Sequence, residues 1–181
     1  MPRYTITAGL LLLFGAAVYF SLTGSMVPSR PPSGEWQNGR DRKAPDFALP
    51  TLGGETFRLS DLRGKVVVVN FWATWCAPCR EEIPDLVRLQ EAYRGRGVAF
   101  VGVSVDEEGA AVVRPFAEQY GINYPVALDD GSVMQRYEGA AALPTTYFVT
   151  REGRVRRYMP GTLTYAEAVP VLDELLREGG S

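Results

Sequence analysis

Residues 66–84 read VVVVNFWATWCAPCREEIP. The first six, ending at Phe71, are an almost unbroken β-branched run, the pattern of a strand buried on both faces. A helical pattern follows from about Cys76 to Tyr93. It places Ile83, Leu86, Val87, Leu89 and Tyr93 on one apolar side, and Gly95 and Gly97 end it. Cys76 and Cys79, the only two cysteines in 181 residues, therefore stand where a buried strand gives way to a helix. Positions i and i+3 on a helical turn have Cβ atoms about 5–6 Å apart. A disulfide wants Cα atoms about 4.4–6.8 Å apart. The spacing permits both a dithiol and a disulfide with little backbone movement. The helix N-terminus carries partial positive charge and favours a thiolate there. Pro78 suits the first turn, where a missing N–H costs nothing. Cys76, nearer the N-terminus, is expected to be the exposed nucleophile, and Cys79, one turn deeper, the resolving thiol. A static bridge closing so short a loop would add little chain-entropy stabilisation. It would also leave the strand–CxxC–helix context without a reason.

Composition narrows the chemistry further. The chain has 19 Lys+Arg, 21 Asp+Glu and no His, for a formal net charge of −2. That balance gives no electrostatic footprint for nucleic acid. The absence of His excludes a Ser-His-Asp triad, a Cys-His protease pair and any His-bearing metal site. Two cysteines cannot supply a four-thiolate zinc site, an ordinary iron–sulfur cluster or a framework of several disulfides. No cofactor and no metal are expected.

Outward from the cysteine motif, residues 98–105 (VAFVGVSV) read as a second buried strand. Residues 110–120 read as a helix closed by Gly121, residues 124–128 as a short strand and residues 133–137 as a short helix. Residues 145–150 and 155–159 alternate as paired strands around Glu152-Gly153. Thr164 caps a final helix running to about Arg177, despite Pro170 inside it. Ahead of the motif, residues 47–49 and 56–59 flank Gly53-Gly54 as a short hairpin. This order predicts an α/β sandwich with a mixed sheet.

The N-terminus is of a different kind. Residues 4–29 carry no charge, and the apolar heart spans residues 6–22. At about 1.5 Å per residue that is about 26 Å of helix, near the ~30 Å of a hydrocarbon core. Residues 1–24 are read as a transmembrane signal-anchor, a cleaved signal peptide being the alternative. Arg3 and the free amine precede the span, so the positive-inside rule places the rest outside the cytoplasm, where disulfide chemistry is permitted. Residues 25–42, rich in Pro and Gly, read as a flexible linker. Residues 43–178 form the domain and residues 179–181 a disordered tail.

The stretch FWATWCAPCREEIP resembles the active site of the thioredoxin superfamily, most closely its membrane-anchored TlpA/ResA-like thiol:disulfide oxidoreductases. Pro84 stands where that family's active-site helix carries a proline. Ala142-Leu143-Pro144-Thr145-Thr146 resembles the loop whose cis-proline faces the disulfide. The long segment at residues 106–128 resembles the helix-and-strand insert of the TlpA-like branch. The resemblance implies a thioredoxin-like fold: a central mixed sheet flanked by helices, with an N-terminal hairpin and a central insert. It implies a redox-active Cys76–Cys79 disulfide, a cis Pro144, and a substrate surface of Trp75, Ala77, Pro78, Leu143, Pro144 and Thr145. Asn70 stands where plain thioredoxin has a buried Asp, and it cannot titrate. The TlpA-like branch also has Asn there, with a Glu three residues after the second Cys. Here that is Glu82, one turn below Cys79 and placed to take its proton when a mixed disulfide resolves. Trp75 is expected at the rim of the site. Trp72 reads equally as core or as site. Arg154, Arg156 and Arg157 read as a solvated face.

Function then divides by direction and by class. The leading reading is an exported, membrane-tethered reductant of protein disulfides, re-reduced by a membrane electron-transfer protein. Its substrates, by resemblance, include the haem-binding cysteines of apocytochromes c. The opposite direction, an oxidant of exported proteins, uses the same residues. A Cu(I) carrier has only two thiolates to offer and lacks the His ligand of copper-delivering relatives. A thiol peroxidase would hold a single peroxidatic Cys in a Pro/Thr-rich loop, unlike TWCAPC.

Overall fold

A computed structural model describes residues 42–137 and 142–178. The segment read as a membrane anchor, most of the linker and the C-terminal tail lie outside the described residues. Among the described residues, no helix is long and apolar enough to cross a membrane.

The elements, in chain order, are β1 (Arg42–Lys43), β2 (Ala48–Pro50), β3 (Thr56–Arg58), a 3-10 turn (Leu59–Leu62), β4 (Val66–Trp72), α1 (Ala77–Tyr93), β5 (Val98–Ser104), α2 (Ala110–Gln119), β6 (Val126–Leu128), α3 (Ser132–Arg136), β7 (Thr145–Val149), β8 (Arg154–Pro160) and α4 (Tyr165–Glu178). β2 and β3 pair as a separate hairpin. The other strands form a six-stranded sheet in the order β1-β8-β7-β4-β5-β6. β4, β5 and β6 run parallel, while β7 and β8 are antiparallel, so the sheet is mixed as expected. Arg42, read from sequence as the last linker residue, already pairs with Val155 at the sheet edge.

β4 is the centre of the sheet, and all seven of its residues are buried. Its alternation explains the β-branched run. Val66 and Val68 face Leu86, Leu89 and Tyr93 of α1 and Leu172 and Leu175 of α4. Val67, Val69 and Phe71 face Phe47, Leu49, Leu59, Val101, Val103 and Tyr147. Each face excludes water, and no position on the strand tolerates a polar residue without a partner. Asn70 is the one polar side chain of this kind on β4, and its partners are described below.

The insert expected at residues 106–128 is present. α2 and β6 add to the parallel edge, and Val113 and Val126 pack against Trp72 and both cysteines. Gly102 on β5 permits that packing. A Cβ there would lie 2.8 Å from Trp72 Nε1 and 3.1 Å from the Tyr124 ring. α4 begins with a capping box: Thr164 Oγ1 accepts from Glu167 N, and Glu167 Oε2 accepts from Thr164 N at 3.0 Å. Pro170 lies inside α4, as Pro84 does in α1, without ending either helix. The Arg156 and Arg157 guanidiniums reach across to Glu174 and Glu178 of α4. Arg156 and Arg157 of the basic cluster thus form surface ion pairs between strand and helix, each worth little by itself.

Candidate active site

Cys76 is the N-cap of α1, with extended backbone, and its Sγ accepts a hydrogen bond from Cys79 N at 3.3 Å. Pro78 occupies the first turn, as the sequence implies. The two cysteines are joined by a disulfide with a Cα–Cα distance of 5.3 Å. Their environments differ. Cys79 is sealed (0% exposed), whereas Cys76 keeps 6% and opens on a surface groove. That groove is lined by Trp75, Cys76, Ala77, Pro78, Val105, Met134, Ala142 and Leu143. The groove reaches Cys76 and not Cys79. Cys76 is nonetheless far less open in the disulfide than the sequence reading expects, because Trp72, Ala73, Val105 and Leu143 pack around the pair.

The groove brings together most of the residues singled out from sequence. Trp75 is 66% exposed, the one large exposed hydrophobic side chain among the described residues. The Leu143-Pro144 bond is cis. Pro144 is buried beneath the loop, Leu143 forms one wall, and Thr145 is buried with its Oγ1 donating to Ala142 O at 2.7 Å. Thr145 therefore shapes the loop from behind and does not line the groove. Trp72 is core. It is 1% exposed, its ring centroid lies 5.2 Å from that of Phe116, and it packs in the same cluster as the two cysteines.

Glu82 is 1% exposed. Its Oε1 accepts from Asn70 Nδ2 at 2.8 Å and its Oε2 from Leu163 N at 2.8 Å. Asn70 Nδ2 also donates to Thr146 Oγ1 at 3.0 Å, across the β4–β7 pairing. Burial dominates the carboxyl and pushes its pKa up to about 7, against the two hydrogen bonds, which pull it down. A carboxyl poised near neutral pH, one helical turn below Cys79, is able to accept and return a proton in the working range.

Two further carboxylates are buried at the groove, and the sequence reading passed over both. Asp106 accepts from Thr74 N through both oxygens (3.1 and 3.0 Å), from Thr74 Oγ1 at 2.5 Å and from Ser104 Oγ at 2.8 Å. Asp129 accepts from Val133 N at 3.0 Å and from Met134 N at 2.9 Å. The available signal was positional: each Asp directly follows a strand, one at each end of the insert. Among the described residues no group of three or more His, Cys, Asp or Glu is arranged to hold a metal ion.

A buried strand delivering a Cys-x-x-Cys disulfide to a helix N-terminus, opposed by a cis-proline loop, defines a thioredoxin-like thiol:disulfide oxidoreductase. Residues 41–158 match the AhpC/TSA family, and the chain belongs to that thioredoxin-like family. It is 37% identical over 163 residues to thiol-disulfide oxidoreductase ResA of Bacillus subtilis (strain 168), covering 90% of this chain and 87% of that one. Thioredoxin-like protein YneN of the same organism is 38% identical over 133 residues, covering 73% of this chain and 78% of that protein. Among solved structures, a thiol:disulfide interchange protein of the thioredoxin family from Chlorobium tepidum TLS superposes with a TM-score of 0.69. It is 33% identical and covers 77% of this chain and 99% of its own.

Proposed function

We propose that this oxidoreductase works as a reductant outside the cytoplasm, tethered to the cell membrane by its N-terminal segment as a single-pass protein. The observation that carries the reading is the asymmetry of the disulfide: Cys76 opens on an apolar groove, while Cys79 is sealed above a buried carboxyl. In the reduced enzyme the Cys76 thiolate attacks one sulfur of a substrate disulfide. A Cys76–substrate bond forms, the substrate S–S bond breaks, and one substrate thiolate leaves. The Glu82 carboxylate takes the proton of Cys79. The Cys79 thiolate attacks Cys76 Sγ, the mixed disulfide breaks, and the second substrate sulfur leaves as a thiolate that takes up the proton held by Glu82. Two electrons have passed to the substrate, and Cys76–Cys79 is oxidised. The Leu143-Pro144 loop offers backbone groups to an extended substrate chain, in the manner of a short strand pairing.

The direction is argued from charge. An anion buried close to the thiols opposes thiolate formation and raises a thiol pKa. A dithiol that is not stabilised as thiolate gives up its electrons more readily, which is the opposite of the DsbA case. Tethering and export rest on the uncharged run at residues 4–29 behind Arg3. Continuous turnover then needs a membrane electron-transfer protein as reductant. The family resemblance suggests the haem-binding cysteines of apocytochromes c as substrates, within cytochrome c maturation.

The test is the Cys76–Cys79 reduction potential of the full chain in detergent, equilibrated with glutathione or dithiothreitol. A value below about −230 mV, towards thioredoxin's ~−270 mV, agrees with a reductant. A value near DsbA's ~−120 mV makes the protein an oxidant and reverses the proposed flow.

A further inference from the structure

The groove walls come from segments far apart in the chain, and two buried carboxylates hold them. Asp106 follows β5 and Asp129 follows β6, so the pair brackets the insert. Both are 4% exposed, and among the described residues neither forms an ion pair with a basic side chain. One residue connects them: Ser104 donates through Oγ to Asp106 Oδ2 at 2.8 Å, and its carbonyl accepts from Asp129 N at 2.8 Å.

Each carboxylate faces a different wall. Asp106 takes the N–H and the hydroxyl of Thr74, whose carbonyl is held by Arg80 Nη1 at 3.3 Å. Every polar group of Thr74 is thereby engaged. The next residue is Trp75, whose indole stands 66% exposed at the groove. The residue before Asp106 is Val105, which also lines the groove and donates its N–H to Trp72 O at 3.0 Å. Asp129 takes the N–H groups of Val133 and Met134, and Met134 lines the groove on another side. Burying a carboxylate is costly unless its oxygens are satisfied. Here the donors that satisfy them belong to the residues that carry the walls.

We infer that Asp106 and Asp129 are positioning residues for substrate. They lock the Trp75 and Met134 walls of the Cys76 groove in a fixed relation and make the insert a determinant of which polypeptide disulfides the enzyme accepts. This rests on the exchange activity proposed above. The lining side chains are apolar apart from Cys76 itself, so the favoured substrate is an extended chain with apolar residues beside its cysteine. Neither carboxylate touches Cys76, whose Sγ accepts from Cys79 N and whose carbonyl accepts from Arg80 N in the first turn of α1. Loosening the walls therefore leaves the sulfur in place while degrading its surroundings.

The test uses the full chain in detergent. Reduction of a peptide disulfide flanked by apolar residues is followed beside alkylation of Cys76 by iodoacetamide. For Asp106→Asn and Asp129→Asn the expected result is a five- to tenfold loss in kcat/KM, carried by KM. Alkylation stays within twofold of wild type. Trp75→Ala and Met134→Ala remove the walls without touching the carboxylates. They are expected to lose kcat/KM in the same way, which keeps the question answerable if an Asn variant does not fold. The inference is overturned if folded Asn variants or the two Ala variants reduce the peptide at the wild-type rate. It is also overturned if alkylation falls in step with exchange, which would mean that the sulfur itself had moved. A wild-type chain that reduces no peptide disulfide at all would sink the proposed function instead.

Discussion

Asn70 Nδ2 lies 2.8 Å from Glu82 Oε1, joining the central strand to the active-site helix inside the core. At the position where plain thioredoxin carries its titrating Asp, this chain has an amide that serves as a donor. The strand donates a hydrogen bond to the Glu82 carboxyl, whose pKa burial raises to about 7.

Glu82 should leave a pH signature in stability. A carboxyl with an ordinary value near 4.5 in the unfolded chain and about 7 in the folded one makes folding take up a proton between those pH values. The wild type therefore loses stability as pH rises through that window, by about 3 kcal/mol in total if the shift is fully expressed. Glu82→Gln carries no such charge. Chemical denaturation at pH 4.5 and pH 8 should show the variant gaining on wild type by an amount of that order. A constant difference across pH would mean that Glu82 is already solvated.

The same substitution should act on the chemistry. Glu82→Gln is expected to slow resolution of the mixed disulfide by about a hundredfold at pH 7, the low end of what a positioned general base contributes. The first attack by Cys76 should change less. Rapid-quench kinetics separates the two steps.

Removing one thiol at a time tests their order. Cys79→Ser should accumulate a stable mixed disulfide with substrate through Cys76, visible by mass spectrometry. Cys76→Ser should form none, because Cys79 is sealed from the groove.

Gly102→Ala probes the packing behind the site. The added methyl would meet Trp72 Nε1 at 2.8 Å, so the indole or the β5 backbone must move. Overpacking of this kind costs about 1–3 kcal/mol. Thermal unfolding should register the loss, and tryptophan emission should change with it.

Tyr93 and Asp173 form a clasp between α1 and α4. The phenol donates to Asp173 Oδ1 at 2.9 Å, and burial together with that carboxylate pushes its pKa up to about 12. Tyr93→Phe should cost about 1 kcal/mol, the usual net value of such a bond, and leave disulfide exchange at the wild-type rate.

Much of the fold could be read along the chain because its signals are local. The β-branched run at residues 66–71, the helical spacing after Cys76, the turn glycines and the Thr164 cap each report a preference decided within a few residues. The element order followed from them. The hairpin at β2–β3 was legible through its Gly53-Gly54 turn, whereas the pairing at Arg42 was not, since a two-residue strand carries almost no periodicity. Trp72 read equally as core or as site, because an indole suits both. Only Gly102, Phe116 and the insert around it decide for the core.

The chain by itself determined the reagents. Two thiols at helical spacing after a buried strand, with no His to complete any other catalytic set, admit thiol–disulfide exchange and little else. Tertiary structure decided how those reagents are tuned. Glu82 is three residues from Cys79, but its environment is made by Asn70, 12 positions away, and Leu163, 81 positions away. Asp106 reaches Thr74 across 32 positions to set a wall of the groove. Burial and hydrogen bonding are properties of what packs against a residue, so a carboxyl's pKa and a groove's shape appear only once distant segments meet.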